Sequence, residues 1–273
     1  MPATRATPQI SRPVLRWHGG KWKLAPKLVA MFPPHRVYVE PFGGAASVLL
    51  RKPKSYAEVY NDLDDDVVNL FRVLRSDDAD RLVNLLRLTP FASSEFFAAY
   101  VQTEDPIERA RRLVIRSFQG FGSNGVHKKT GFRSNINRSG TTPSHDWANY
   151  PDALSAIVQR LSGVCILNRD AKEVMVAHDG PETLHYVDPP YMMGTRRDTA
   201  ADYAHELTDA QHIELLGFLR GLRGKVVLSG YHSDTYQNLL ADWSRVDIAA
   251  LADGASKRTE CVWMNFKHKG SLI

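Results

Sequence analysis

The sequence predicts an α/β fold interrupted by a helical insertion. Short apolar runs of strand type alternate with helical patterns over residues 37–75 and return over 163–266. Between them, residues 76–160 carry amphipathic helical patterns and one long loop rich in glycine, serine and asparagine. Two strand-type runs also break into glycine or proline turns, a common way for a strand to end.

Each element follows from its local pattern. VYVEPFGG (37–44) is an apolar strand opening into a glycine turn, ASVLLRK (46–52) continues as a helix, and YAEVYND (56–62) is a second strand ending in acids. DDDVVNLFRVLR (64–75) has helical spacing, so 37–75 looks like the opening of a doubly wound sheet. Helices are expected at 78–88, 93–102 and 106–118, followed by an irregular stretch at 120–146. Strands resume at 163–170, 184–191, 225–231 and 261–266, with helices at 209–222 and 233–243. The expected organisation is a discontinuous domain of residues 13–75 and 161–273, an insertion over 76–160, and a loose leader over 1–12. There are no internal repeats.

Composition narrows the function classes. With 43% apolar and 24% charged residues in 273, disorder and collagen-like repeats are excluded. No apolar run approaches the roughly 20 residues of a membrane helix. No secretory signal is expected, and a cytoplasmic setting in a bacterial or phage-infected cell follows as the simplest expectation. Cys165 and Cys261 cannot form a disulfide framework, and each lies in an apolar strand pattern as a buried structural thiol would. The ten histidines form no HxH or HExxH pair and no Walker-type loop is present, so no metal site is expected.

Net charge is only +5, but its distribution is uneven. From 109 to 145 there are eight Lys/Arg and no acid, while the other 27 basic residues face all 30 acids. Such a block suits either a solvated face or a polyanion-binding surface.

The sharpest motif is Asp188-Pro189-Pro190-Tyr191 after an apolar strand, a tetrapeptide expected by chance in about one such chain in a thousand. An exocyclic amino group on a nucleobase is a poor nucleophile, because its lone pair is delocalised into the ring. A carboxylate (Asp188) and a rigidly held carbonyl (Pro189) can accept its hydrogens and free that lone pair, with the prolines fixing the turn. Tyr191 offers a stacking face. The motif is similar to that of amino-directed DNA methyltransferases, which use it on adenine N6 or cytosine N4.

Other segments extend the likeness. Glu40-Pro41-Phe42-Gly43-Gly44-Ala45-Ala46-Ser47 resembles the cofactor loop of S-adenosylmethionine-dependent methyltransferases, Phe-x-Gly-x-Gly, with Ala46 where the second glycine is usual. Asp62, eighteen residues past Gly44, sits where nucleoside-binding α/β folds place a ribose-binding acid; alternatively Asn61, Asp62 or Asp64 caps the next helix. Leu15-Arg16-Trp17-His18-Gly19-Gly20-Lys21 resembles the Trp-x-Gly-Gly-Lys segment of the Dam-type (D12 class) adenine-N6 methyltransferases. Asn168-Arg169-Asp170, the recognition block at 116–123 and 130–133, and residues 258–265 match the same family, the last in its phage-type members.

The resemblance covers about residues 13 to 266. It implies a Rossmann-like S-adenosylmethionine-dependent methyltransferase sheet with a helical target-recognition insertion. Its implied activity is site-specific transfer of a methyl group to N6 of a flipped adenine in double-stranded DNA, in a phage, restriction–modification or regulatory setting. Asp188, Pro189, Pro190 and Tyr191 would be catalytic. Trp17, Lys21, Glu40, Phe42, Gly44, Asp62, Asp170 and Asp188 would bind the cofactor. DNA would meet Arg116, Asn124, Lys128, Lys129, Arg133, Asn135, Asn137 and Arg138. No membrane or obligate protein partner is indicated, and a monomer or weak dimer is expected. The rival readings are an N4-cytosine methyltransferase, an inactive DNA-binding relative, methylation of another nucleic acid or a protein glutamine and, most distantly, an NAD enzyme. A cytosine-C5 enzyme is disfavoured, because Cys165 follows Val164 and Cys261 follows Glu260 instead of proline.

Overall fold

The computed structural model describes residues 10–135, 140–195, 204–251 and 257–268. In chain order the elements begin α1 (Ala25–Ala30), β1 (Val37–Glu40), α2 (Ser47–Arg51), β2 (Ala57–Asn61) and α3 (Asp65–Val73). Helices α4 (Ala79–Leu88), α5 (Ser93–Ala98), α6 (Pro106–Gln119), α7 (Pro143–Ala148) and α8 (Tyr150–Arg160) follow. The chain returns to β3 (Val164–Leu167), α9 (Ala171–Ala177), β4 (Thr183–Val187), α10 (Asp209–Arg220), β5 (Lys225–Gly230), α11 (Asp234–Leu239), β6 (Ser244–Leu251) and β7 (Lys257–Met264). Among the described residues no helix is long and apolar enough to cross a membrane.

The chain forms two compact units, one of Met1–Gly20 with Asp65–Gly163 and one of Lys21–Asp64 with Val164–Ile273. In the second unit the strand order is β3-β2-β1-β4-β5-β7-β6. The first five strands are parallel and β7 is antiparallel to both of its neighbours. The expected α/β architecture is therefore present. Val187, Val226, Leu228, Leu216, Leu219 and Trp263 form the core between the sheet and α10. Helix α10 begins at a capping box, Thr208 with Gln211, which satisfies otherwise orphaned amides.

The first unit is helical. Asp105 caps α6 by accepting from the Ile107 and Glu108 amides, and Pro106 occupies the first turn, where its missing N–H costs nothing. Asn69 of α3 donates to Pro106 O at 2.8 Å, and Arg109 pairs with Asp65 and Asp66. Helix α3 and residues 13–20 thus group with the helices that follow, where sequence reading placed them with the sheet. The segment before α1 is held there too: Tyr150 donates to Val14 O at 2.6 Å, and Ser117 bonds both the amide and the carbonyl of Arg16.

Several expectations need correcting. β6 and the helices α1, α7, α8 and α9 were not individually foreseen, and the expected helices at 93–102 and 233–243 are shorter, Ser93–Ala98 and Asp234–Leu239. Cys165 is exposed, not buried, because β3 is an edge strand of the sheet; Cys261 is buried as expected. Most of the proposed leader (residues 1–9) lies outside the described residues, while Arg12 donates to Asp146 O at 2.7 Å.

The turn after β1 rests on Tyr60 of β2. The Tyr60 hydroxyl donates to Gly44 O at 2.8 Å, and a Cβ on Gly43 would stand 2.1 Å from the Tyr60 ring. Tyr60 is fully buried, so the ring has nowhere to go. Gly43→Ala should therefore lower stability by about 1–3 kcal/mol through overpacking, read as a drop in Tm.

Candidate active site

β1 pairs with β2 on one side and β4 on the other, and the connections run in opposite directions from this point. Open α/β sheets leave a crevice at such a reversal, at the carboxyl ends of the strands. The loops after β3, β2, β1 and β4 therefore bring Asp170, Asp62, Gly44 and Asp188 to one edge of the sheet.

Gly44 and Ala46 both have left-handed backbones, at φ 46° and 52°. Ala46 occupies the position of the usual second glycine and adopts a glycine-like conformation in spite of its methyl, at a cost on the order of 1 kcal/mol. Phe42 is half-buried against the core beneath α10. Asp62 Oδ2 accepts from the Gly44 amide at 2.7 Å, and its Oδ1 accepts from Asp64 N at 2.8 Å. It thus ties down the glycine loop besides shaping the turn before the next helix. Burial pushes the Asp62 carboxyl up to about 6, against the pull of those two amides. Asp170 caps α9, with both the Lys172 and Glu173 amides donating to Oδ1.

Asn61 was not expected to matter beyond a helix cap. It is fully buried, donates to Pro41 O and Arg169 O at 2.9 Å each, and accepts from Arg169 N.

At the end of β4, Asp188 Oδ2 lies 2.9 Å from Lys21 Nζ, and the Tyr191 hydroxyl donates towards Asp188 Oδ1 at 3.2 Å. Lys21 also stands 3.7 Å from Glu260 Oε1 and 4.8 Å over the Tyr191 ring. The Tyr191 hydroxyl is hydrogen-bonded to Glu260 as well, and the Tyr231 ring meets Tyr191 edge-on at 4.6 Å. Pro189 is buried and Pro190 half-buried. Lys21, expected beside a cofactor, is thus placed on the motif carboxylate itself. Glu260 was missed; its signal was a lone acid at the head of the apolar run CVWM.

Glu40 ends β1 fully enclosed. Its Oε2 accepts from the Tyr38 hydroxyl at 2.7 Å and from Leu49 N at 2.9 Å. Burial pushes its carboxyl up to about 8; the Tyr38 hydrogen bond opposes this and nearby Asp188 adds to it.

Trp17 belongs to the other unit, where His127 packs edge-on against it at 4.9 Å. The basic block there is less basic than its count suggests. Arg109 and Arg116 pair with Asp66, and Arg111 and Arg112 pair with Glu108, all acids outside the block. Arg133 is mostly buried and lies 3.7 Å from Asp146. Lys129 and Asn135 are exposed, Asn124 and Lys128 half-buried, and Asn137 and Arg138 lie outside the described residues.

Comparison with known families settles the class of protein. The family model for D12 class N6 adenine-specific DNA methyltransferases matches residues 17–253. The chain belongs to this family. A Type II methyltransferase of Lactococcus lactis subsp. cremoris is 24% identical over 267 residues, covering 90% of each chain. A DNA adenine methylase of Serratia marcescens is 34% identical over 108 residues, 38% of this chain and 40% of that one. The DNA adenine methylase of Escherichia coli K12 is 23% identical over 222 residues, covering 78% and 77%. The family's activity is transfer of a methyl group to adenine N6 in DNA.

The folded Glu40 carboxyl holds its proton more tightly than an unfolded one. Ionising Glu40 therefore costs stability above pH 4.5, and the cost grows until about pH 8. Both donors bind one oxygen, so an amide can keep them. Glu40→Gln should raise Tm at pH 8.5, by an amount worth a few kcal/mol (~2–4), and leave it nearly unchanged at pH 5.

Proposed function

We propose that S-adenosylmethionine is the methyl donor and that the acceptor is the N6 amine of an adenine flipped out of double-stranded DNA. The observation that carries this reading is the Asp188 carboxylate, held at the reversal of the sheet by Lys21 and Tyr191. Each bound oxygen retains lone-pair capacity, so Asp188 can still accept an N–H from the adenine amine.

The donor set fits the cofactor. Both Asp62 oxygens are within reach of one backbone amide each, and each can accept a ribose hydroxyl besides. The left-handed Gly44 lets the backbone pass close to a ligand, and Asp170 offers a further acid at the neighbouring strand end. The Asp188 carboxylate supplies negative charge that favours a cationic donor. When bound, S-adenosylmethionine supplies an electrophilic methyl group on a sulfonium. Trp17 and Lys21 keep the cofactor-side roles that the family resemblance implies, and Lys21 in addition orients Asp188.

The chain's own groups then do three things. Asp188 and the Pro189 carbonyl accept the two amine hydrogens and free the nitrogen lone pair. Tyr191 holds Asp188 and backs the base. The rigid Pro-Pro turn keeps the geometry through a direct displacement, where alignment supplies much of the rate. Residues 76–160 form the target-recognition insertion. Its contacts with the duplex come from Lys128, Lys129, Asn124 and Asn135, with Arg116 and Arg133 available only on leaving their acids.

Asp188→Ala should reduce methylation by at least about 10³-fold while DNA binding in a gel-shift assay stays near wild type. Nucleoside mass spectrometry of the product DNA should show N6-methyladenine; N4-methylcytosine would overturn the assignment of the base. Asp62 should make cofactor binding pH-dependent, because the carboxylate is lost as pH falls through about 6. Calorimetric affinity for S-adenosylmethionine should weaken below that pH in the wild type and lose this dependence in Asp62→Asn.

A further inference from the structure

Glu260 lies on β7, 3% exposed. Its Oε1 is hydrogen-bonded to the Tyr191 hydroxyl, and that hydroxyl also lies 3.2 Å from Asp188 Oδ1. A phenol has one proton to donate. It cannot bond both carboxylates at once, and the Lys21 ammonium that lies within reach of both is nearer Asp188, so a proton on Glu260 would complete the set. Asp188 has the Lys21 ammonium at 2.9 Å and is partly open to solvent, which makes it the better-stabilised anion. Glu260 has the same ammonium only at 3.7 Å and is almost fully enclosed.

We propose that Glu260 works as a neutral carboxylic acid, donating its proton to the Tyr191 oxygen and so committing the single Tyr191 proton to Asp188. The chain of donors runs from Glu260 to Tyr191 to Asp188, and Asp188 is left as the one anion facing the substrate amine. Glu260 touches no reacting atom in this arrangement; it is a positioning residue acting through Tyr191. The inference rests on the reading of Asp188 as the amine acceptor.

The surroundings agree. Around Glu260 stand Lys21 from the segment before α1, Tyr186, Asp188 and Tyr191 from β4 and its turn, Tyr231 after β5, and Cys261 on its own strand. Its cross-strand partner on β6 is the apolar Ile248. Arg258, on the same strand, is engaged over the Tyr231 ring at 5.2 Å. Burial and the neighbouring Asp188 charge raise the Glu260 carboxyl, outweighing the pull of Lys21.

Glu260→Gln is the decisive variant, because its amide N–H can donate to Tyr191 at every pH. Single-turnover methylation by Glu260→Gln should stay within about threefold of wild type near neutrality and lose the alkaline fall that ionisation of Glu260 causes in the wild type. Glu260→Ala should slow the same step by about tenfold or more, with KM for S-adenosylmethionine little changed. A Glu260→Gln enzyme as slow as Glu260→Ala, or one that keeps the wild-type alkaline fall, overturns the proposal.

A second measurement does not depend on turnover. In a Glu40→Gln background, which removes a second glutamate with a raised carboxyl, infrared spectra of protein labelled with ¹³C-glutamate should retain a label-sensitive C=O band of a protonated carboxyl that Glu260→Gln abolishes. Absence of that band overturns the proposal even if methylation proceeds. Failure of the wild type to methylate adenine would overturn only the reading of the reaction.

Discussion

One buried amide, that of Asn61, joins the ends of three strands. It donates to the loop after β1 at Pro41 and to the loop after β3 at Arg169, and it takes back the Arg169 amide. These loops carry the glycine turn and Asp170, while Asp62 follows Asn61 directly. A side chain of another shape would strand buried backbone groups, at about 1–3 kcal/mol for each. Asn168 reinforces the join by donating to Asp62 O at 2.8 Å. The carboxyl edge of the sheet is thus held by polar bonds between loops as well as by apolar packing beneath it.

The same edge concentrates acids. Glu40, Asp62, Asp188 and Glu260 all belong to the sheet-bearing unit, and Lys21 is paired with Asp188 and Glu260. Burying so many anions would be costly if each stayed charged. Glu40 and Asp62, whose carboxyls are pushed up to about 8 and about 6, relieve that cost by taking up protons more readily. Their hydrogen bonds to Tyr38, Leu49 and Gly44 serve a second purpose, holding each carboxyl in one orientation. The edge can then carry several acids without an excess of fixed charge in the core.

Features written in contiguous residues were legible in the sequence. The proline turn at Asp188, the glycine turn after Val37–Glu40 and the acid at Asp62 each combine a strand ending with a residue type that suits it, and all three lie at the edge foreseen for them. What stayed hidden depends on partners far along the chain. β6 exists because β7 pairs with it through its whole length, and its own sequence, SRVDIAAL, has no clean alternation. Cys165 looked buried because its neighbours are apolar; only the strand order reveals that β3 is at an edge. Lys21 and Glu260 are more than two hundred residues apart, so no local pattern could announce that they share a site. The charge count of the insertion misled for the same reason, since Asp66 lies more than forty residues from Arg109.

That last pairing affects how binding responds to ionic strength. A lysine or arginine that meets a phosphate displaces condensed cations from the duplex, and each such contact steepens the logarithmic salt dependence of binding by about 0.9. An arginine already neutralised by an aspartate or glutamate has no such release to contribute while it stays paired. Arg109, Arg111, Arg112 and Arg116 are all in this condition. The helix that looks most cationic on paper thus has its four arginines engaged by acids of α3, α5 and its own first turn, and association with a polyanion would vary with salt less than eight basic residues would suggest.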